Sequence, residues 1–280
     1  MKILKILSVI LGLAFLVQSC DKIDPPYKKP GTSVDCEVGN QNVLIEDYTG
    51  HKCVNCPGAA ITAHEIKAMC EERVVIIAVH AGYFAEPNET GDYAYDFRTD
   101  AGNDWNSFFG IVSNPNGVVN RTNEDGSYLL SPGQWASKAT ELLAQNSPVN
   151  IEIENSFSDN ALSTTIKANF VDNAEGNYKL IVCITEDNII KPQKNNDHNI
   201  GDVPNILDYK HMHVLRAAIN GNWGQSLLNG SAAIGETISK TYTQKFDDTD
   251  WVAENCNVVA FIYDNADKSV VQVKEAKVIE

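Results

Sequence analysis

The 280-residue chain is short of positive charge: 22 lysines and arginines stand against 37 aspartates and glutamates. That deficit argues against the basic patches that nucleic acids and anionic membrane surfaces require. Past the first twenty residues it has no apolar run long enough to cross a bilayer as a helix. It has no internal repeat and no low-complexity tract. Tetrahedral zinc needs four ligands, whereas His51, Cys53 and Cys56 supply three at most and His64 lies two helical turns away. No metal or cofactor is therefore expected. What is present, 43% hydrophobic and 21% charged residues, is the composition of a folded globular protein with room for one large domain or two ordinary ones.

The chain opens with Lys2 and Lys5, an apolar stretch over residues 6–17 and the small Ser19. This order of charged, apolar and small residues reads as an export signal over residues 1–19. Without it, 20 basic residues face 37 acidic ones. Residues 16–20, LVQSC, resemble a bacterial lipobox. The resemblance implies cleavage before Cys20, lipidation of that cysteine, and an outer-membrane protein held by its lipid, periplasmic or surface-facing; an ordinary cleaved signal is the alternative. Residues 20–40, with Pro25, Pro26 and Pro30 and almost no apolar periodicity, read as the tether between lipid and fold.

Assigning Cys20 to lipid leaves six of the seven cysteines, an even number suited to disulfides in an oxidising compartment. The expected pairs are Cys53–Cys56, Cys36–Cys70 and Cys183–Cys256.

The informative stretch is VLIEDYTGHKCVNCPGAAITAHEIKAM, residues 43–69. An apolar strand breaks at Thr49-Gly50, delivers two thiols spaced CxxC, and passes into a helix with Pro57 in its first turn, where a missing N–H costs little. The apolar run over residues 73–80 supplies a second strand, so the segment predicts a βαβ unit with parallel pairing. Residues 105–109 predict a short helix, residues 111–121 a proline-containing loop feeding an edge strand, and residues 134–145 an amphipathic helix with Trp135, Ala139, Leu142 and Leu143 on its apolar face. From residue 149 onward the pattern becomes alternating strands separated by Asn, Gly and Asp turns, which predicts an antiparallel immunoglobulin-like sandwich. The expected organisation is an α/β domain over residues 41–148 and an all-β domain over residues 149–280.

Thiol–disulfide chemistry needs an attacking thiolate and a second thiol to resolve the mixed disulfide. Cys53 fits the first role and Cys56 the second, with His51 and Lys52 as cationic neighbours. Asp47, on the incoming strand, is placed to accept or relay a proton, and strand alternation turns Glu46 the other way. A structural disulfide and a metal site are the other readings of the same CxxC.

The run IEDYTGHKCVNCP, then VVIIAVHAG, then SNPNGVVNR is similar to the thioredoxin superfamily, whose members carry a cis-proline loop beside the CxxC; Pro115 would be that residue. EDYTGHKCVNCP together with YKHMHVLRAAINGNWG resembles the envelope lipoproteins related to outer membrane protein 28. That resemblance spans residues 40–280 and implies a thioredoxin-like domain followed by a β-rich one. Val54-Asn55 between the thiols departs from the Gly-Pro usual in thioredoxins, and no tryptophan precedes Cys53, so the reduction potential does not carry over.

His211 and His213 alternate on an expected strand and, with His198, could form a metal trio, although a solvated or interface pair is the plainer reading. Trp223, Tyr242, Trp251 and Tyr263 are expected in the sandwich core. Two functions remain open: exchange with client proteins through Cys53 and Cys56, or a non-enzymatic lipoprotein with a structural bridge whose β-rich half binds an envelope protein or glycan. The anchor carries its own test. Cys20→Ala is expected to move the protein from the membrane fraction to the soluble envelope fraction, read by detergent-phase partitioning.

Overall fold

The computed structural model describes residue 36 and residues 38–279. The export signal, Cys20 and most of the tether lie outside these residues. Strand β1 (Val43–Thr49) is buried along its whole length. It leads into helix α1 (Cys56–Met69), with Pro57 near its start, and returns in β2 (Val74–His80), which pairs with β1 in parallel. Helix α2 (Asp100–Phe109) begins earlier than its aromatic residues suggest. The Thr99 hydroxyl accepts from the Gly102 N–H and opens the helix, and Gly110, at φ 67°, closes it. Strand β3 (Asn116–Val119) runs antiparallel to β1 at the sheet edge, as expected. Helix α3 (Pro132–Leu143) starts with a capping box between Ser131 and Gln134 and buries all four predicted apolar residues. Gly117 is required where α3 meets β3, because a Cβ there would lie 2.4 Å from the Trp135 ring.

The regular elements of the remaining chain are almost all strands. Long strands β4 (Val149–Ser158), β5 (Ala161–Phe170) and β6 (Ala174–Glu186) are followed by four two-residue strands: β7 (Ile189–Ile190), β8 (Gln193–Lys194), β9 (Asn205–Ile206) and β10 (Lys210–His211). Then come β11 (Val214–Ala218), β12 (Gln225–Ala232), β13 (Thr237–Lys245), β14 (Cys256–Asp264) and β15 (Val270–Lys277). Strand β12 had no sequence signal, since its apolar residues Leu227 and Leu228 are adjacent and do not alternate.

The described residues form one compact unit, and the boundary expected near residue 148 does not separate two bodies. The principal sheet runs β15-β14-β6-β11-β2-β1-β3, with β12 also on β6, so strands from both sides of residue 148 share one hydrogen-bonded sheet. The join is β11, parallel to β2 on one side and antiparallel to β6 on the other. The later strands stack as two sheets around a core of their own, and one of those sheets continues into β2, β1 and β3. A three-stranded sheet, β13-β5-β4, covers one face of β6 and β14 through Ile166, Phe170, Val182 and Ala260. On that same side, α1 and α3 cover β1 and β2 through Ala59, Ala63, Trp135 and Leu142. The opposite face packs on α2 through Trp105 and Phe109.

Bridges Cys36–Cys70 and Cys53–Cys56 form as expected, with Cα separations of 5.7 and 5.4 Å. Cys183 and Cys256 are buried free thiols, which corrects the expected third pair. They lie on neighbouring strands, but Cys183 opposes Val259 while Cys256 opposes Glu186. Three residues of offset is roughly 10 Å along a strand and turns the side chains to opposite faces of the sheet.

Glu46 and Arg121 form a fully buried ion pair, with Arg121 Nε and Nη2 donating to the carboxylate at 2.9 and 2.7 Å. Five aromatic rings surround the guanidinium: Trp105, Phe109, Trp223, Phe261 and Tyr263, with centroids 4.8 to 5.8 Å away. The Nη1 group, without a hydrogen-bond partner, lies among these π faces. Removing one ion strands the other in the core. Arg121→Met is therefore expected to cost about 3–5 kcal/mol in urea unfolding, and the double variant Glu46→Gln/Arg121→Met to cost less than Arg121→Met alone.

Candidate functional site

Gly50 ends β1 and lets the chain turn, because a Cβ there would lie 2.4 Å from the Phe84 backbone. The turn is held by Lys52 N–H donating to Phe84 O at 3.0 Å and Cys53 N–H donating to Gly50 O at 2.9 Å. It sets Cys53 before α1 and Cys56 at its first residue. Both cysteines are joined and only 2% exposed.

Their cover is the segment carrying β7 to β10, residues 189–211. Gln193 Nε2 donates to Cys53 O at 2.9 Å, Lys194 N–H to His51 O at 2.8 Å, and Asn196 Nδ2 to Asn55 Oδ1 at 2.7 Å. This strap, far from the CxxC in sequence, closes over it through side-chain amides and backbone. No local pattern announces it, since the hydrogen bonds that tie it to the CxxC turn go to partners more than a hundred residues away.

Asp47 sits on β1 opposite Ala78 of β2 and is buried. It lines a small cavity together with Cys56, Thr49 and Gln193. Its Oδ1 has no hydrogen-bond partner, and burial raises its carboxyl from 3.8 to about 7. The structure thus brings Asp47 and Cys56 together and sends Glu46 to the opposite face, as strand alternation requires. The Asn114–Pro115 peptide is cis. Asn114 Nδ2 donates to Tyr48 O at 2.6 Å, and Asn116 pairs with Tyr48, so Pro115 stands at the same end of the sheet as the CxxC turn.

His51 is not the cationic neighbour that the sequence suggested. It is 1% exposed, packs against Tyr93 and Phe97, and burial lowers it from 6.5 to about 4. Two further buried histidines, His80 and His211, meet the same Phe97 ring at 4.4 and 4.6 Å. Burial holds His211 down to about 3 and His80 well below its usual value. Phe97 touches all three imidazoles, and no cluster suited to a metal ion occurs among the described residues. The trio of His198, His211 and His213 is not assembled either. His213, at φ +55°, interrupts the strand and lies against His64 and Asp187, while His211 faces Phe97. His80, Phe97, Gln193 and Tyr209 are the site residues that sequence reasoning missed; only His80, a polar residue ending an apolar strand, left a local trace.

A β-rich protein with a buried disulfide at a strand-to-helix turn is the class these features define. The family model described as outer membrane protein Omp28 matches residues 103–280, well over half of the chain. The chain belongs to that family, and is an envelope protein with a disulfide-bonded cysteine pair. Among solved structures it is similar to HBP35 of Porphyromonas gingivalis, at 18% identity and a TM-score of 0.63, covering 86% of this chain and 76% of that one. A domain of the outer membrane lipoprotein Omp28 from Porphyromonas gingivalis is 25% identical over 47% of this chain and 88% of that one, with a TM-score of 0.32. No curated protein matches.

The buried acid sets a pH dependence. Its folded value lies above its unfolded one, so Asp47 favours the native state below about pH 4 and loses that contribution as pH rises to about 7. The buried neutral histidines act oppositely, penalising the native state as pH falls below 6.5. Both proteins in a comparison share the histidines, so Asp47→Asn isolates the acid. It is expected to match the parent near pH 4 and exceed it at pH 8 by on the order of 4 kcal/mol at 1.36 kcal/mol per unit, read by urea unfolding at the two pH values.

Proposed function

We propose that this protein is a lipid-anchored envelope thiol–disulfide exchange protein, with a thioredoxin-like region over residues 41–148 and the acylated Cys20 as its anchor. The observation that carries the reading is the Asp47 carboxyl, buried without a partner for Oδ1 in the cavity that Cys56 also lines. A bridge needed only for stability gains nothing from an unpaired buried acid, which costs folding free energy. An exchanging pair does gain. In the reduced form the Cys53 thiolate attacks a client disulfide, forming a mixed disulfide and releasing one client thiolate. Asp47 takes the Cys56 proton, the Cys56 thiolate attacks Cys53 Sγ, and the second client thiol leaves as the Cys53–Cys56 bond forms. The strap over residues 189–211 has to shift for a client to reach Cys53.

A second reading has its own support. Both sulfurs are buried, and the strap hydrogen-bonds across them as it would across a permanent staple. The protein is then a non-enzymatic lipoprotein whose β-rich half binds an envelope protein or glycan.

Equilibration in a glutathione redox series separates the two. An exchanging couple titrates well above about −300 mV, whereas a structural bridge stays oxidised to lower potentials. Cys56→Ser is expected to accumulate mixed disulfides on Cys53 with client proteins, and Asp47→Asn to slow their resolution at pH 7 by about 10²-fold. A Cys56→Ser protein that captures nothing, together with a low potential, selects the structural reading.

A further inference from the structure

The strap over residues 189–211 is held differently from the rest of the fold. Its short strands pair only with one another, β7 with β10 and β8 with β9, and join neither of the larger sheets. Among its residues, all of them described, only Gln193, Asn195 and His211 are buried, and each is polar. Its Ile190 and Leu207 are each 60% exposed. Hydrogen bonds tie it down instead: those of Gln193, Lys194 and Asn196 to the CxxC turn, and one from the Tyr93 hydroxyl to Asn205 Oδ1 at 2.6 Å. Water replaces such bonds when the strap lifts, so little apolar burial opposes a local opening.

Beneath the strap lies the histidine cluster. His51 on the CxxC turn, His80 at the end of β2 and His211 on the strap itself meet on Phe97, and the His80 and His211 rings are 5.5 Å apart. His51 Nε2, His80 Nδ1 and His211 Nε2 have no hydrogen-bond partner. Burial disfavours the charged form of all three, and each charged imidazole would repel its neighbours. The groups facing the cluster compensate little. Lys52 and Arg98 beside His51, and Arg216 near His80, carry the same sign. Asp96, also beside His51, is held by Arg98 Nε at 2.9 Å. The Glu86, Lys191 and Pro192 carbonyls attract a proton, but burial outweighs them. Asp47 and Tyr209 share the small cavity with His80 and His211. Burial holds the Asp47 carboxyl neutral below about pH 7, so it offers no countercharge when the imidazoles take up theirs.

We propose that the strap is an acid-released gate: uptake of protons by His51, His80 and His211 lifts residues 189–211 from Cys53–Cys56 and opens the disulfide to attack. The gate regulates the exchange site proposed above and rests on that reading for its role, whereas the opening is measured without a client. Opening returns each imidazole to its ordinary value of 6.5. Between pH 7.5 and pH 5.5 each therefore favours the lifted strap about tenfold, and the three together about 10³-fold. Asp47 acts oppositely. If opening lets its carboxyl ionise, the closed form gains up to about 25-fold over the same interval, which leaves a net rise of about 40-fold.

The test is reduction of Cys53–Cys56 in the full mature chain by a water-soluble phosphine at pH 7.5 and pH 5.5, with the freed thiols trapped by maleimide and located by peptide mass. Dividing each rate by that of the urea-unfolded chain at the same pH removes the phosphine's own titration. The normalised rate is expected to rise about 40-fold or more on acidification. Amide exchange, corrected for its intrinsic pH dependence, is expected to quicken at Lys194, whose N–H is bonded to His51 O, while β14 keeps its protection. His211→Gln is expected to lower the rise about tenfold, and His51→Gln/His80→Gln/His211→Gln to abolish it. Should the triple variant not fold, His211→Gln alone carries the test. The proposal is overturned if the rate does not rise, if β14 loses protection together with Lys194, or if a folded His211→Gln keeps the parent's rise. Acid opening in a chain whose Cys56→Ser variant captures no client supports the gate and fails the exchange reading, so the two failures are distinct.

Discussion

The buried Glu46–Arg121 pair is the contact on which the arrangement of this molecule turns. Arg121 follows β3, Glu46 is in the middle of β1, and the rings around the guanidinium come from α2, from the chain after β11, and from β14. One charge-assisted contact therefore gathers segments more than a hundred residues apart. It also fixes the face of β1. A slip of one residue would carry Glu46 into the helix layer and Asp47 into the aromatic box, leaving both the ion pair and the CxxC cavity without their groups. The same alternation that buries the pair on the α2 side thus delivers Asp47 to α1 and Cys56.

On that helix side the protein concentrates polar groups that a stable fold ordinarily avoids burying. Asp47, His51, His80, His211 and His213 are all within 7% of full burial. Several of their ring and carboxyl atoms lack hydrogen bonds. The opposite face of the sheet, apart from the Glu46–Arg121 ion pair, is lined chiefly by aromatic and aliphatic side chains. Unsatisfied groups gathered on one side of a sheet, beside a disulfide, each cost folding free energy.

Strand, turn and helix around the CxxC were legible because each obeys a local rule: an apolar run, a glycine break, and a proline that tolerates the first helical turn. The amphipathic helix near residue 140 was legible for the same reason. Asp47 could be singled out by its spacing from Cys53, and Pro115 through the resemblance to the thioredoxin superfamily. The strap was not legible, since Gln193 and Asn196 are ordinary polar residues until the fold lays them on Cys53 and Asn55. His51 was misjudged because nothing in GHKC tells whether an imidazole faces water or Phe97, and burial against Phe97 keeps it neutral.

By itself the sequence determined the strand, turn and helix around the CxxC, the helix near residue 140, the Cys53–Cys56 pairing and the change from mixed α/β to strand-rich chain, all consequences of side-chain periodicity and backbone chemistry acting over a few residues. Only the tertiary structure decided that those two regions share a single sheet through β11, that Cys183 and Cys256 stay apart on opposite faces, and that Asp47 lies unpaired behind Cys56. These outcomes depend on strand order and register between segments far apart in the chain, and such pairings are selected by burying three cores at once, a condition that no short stretch of residues can express.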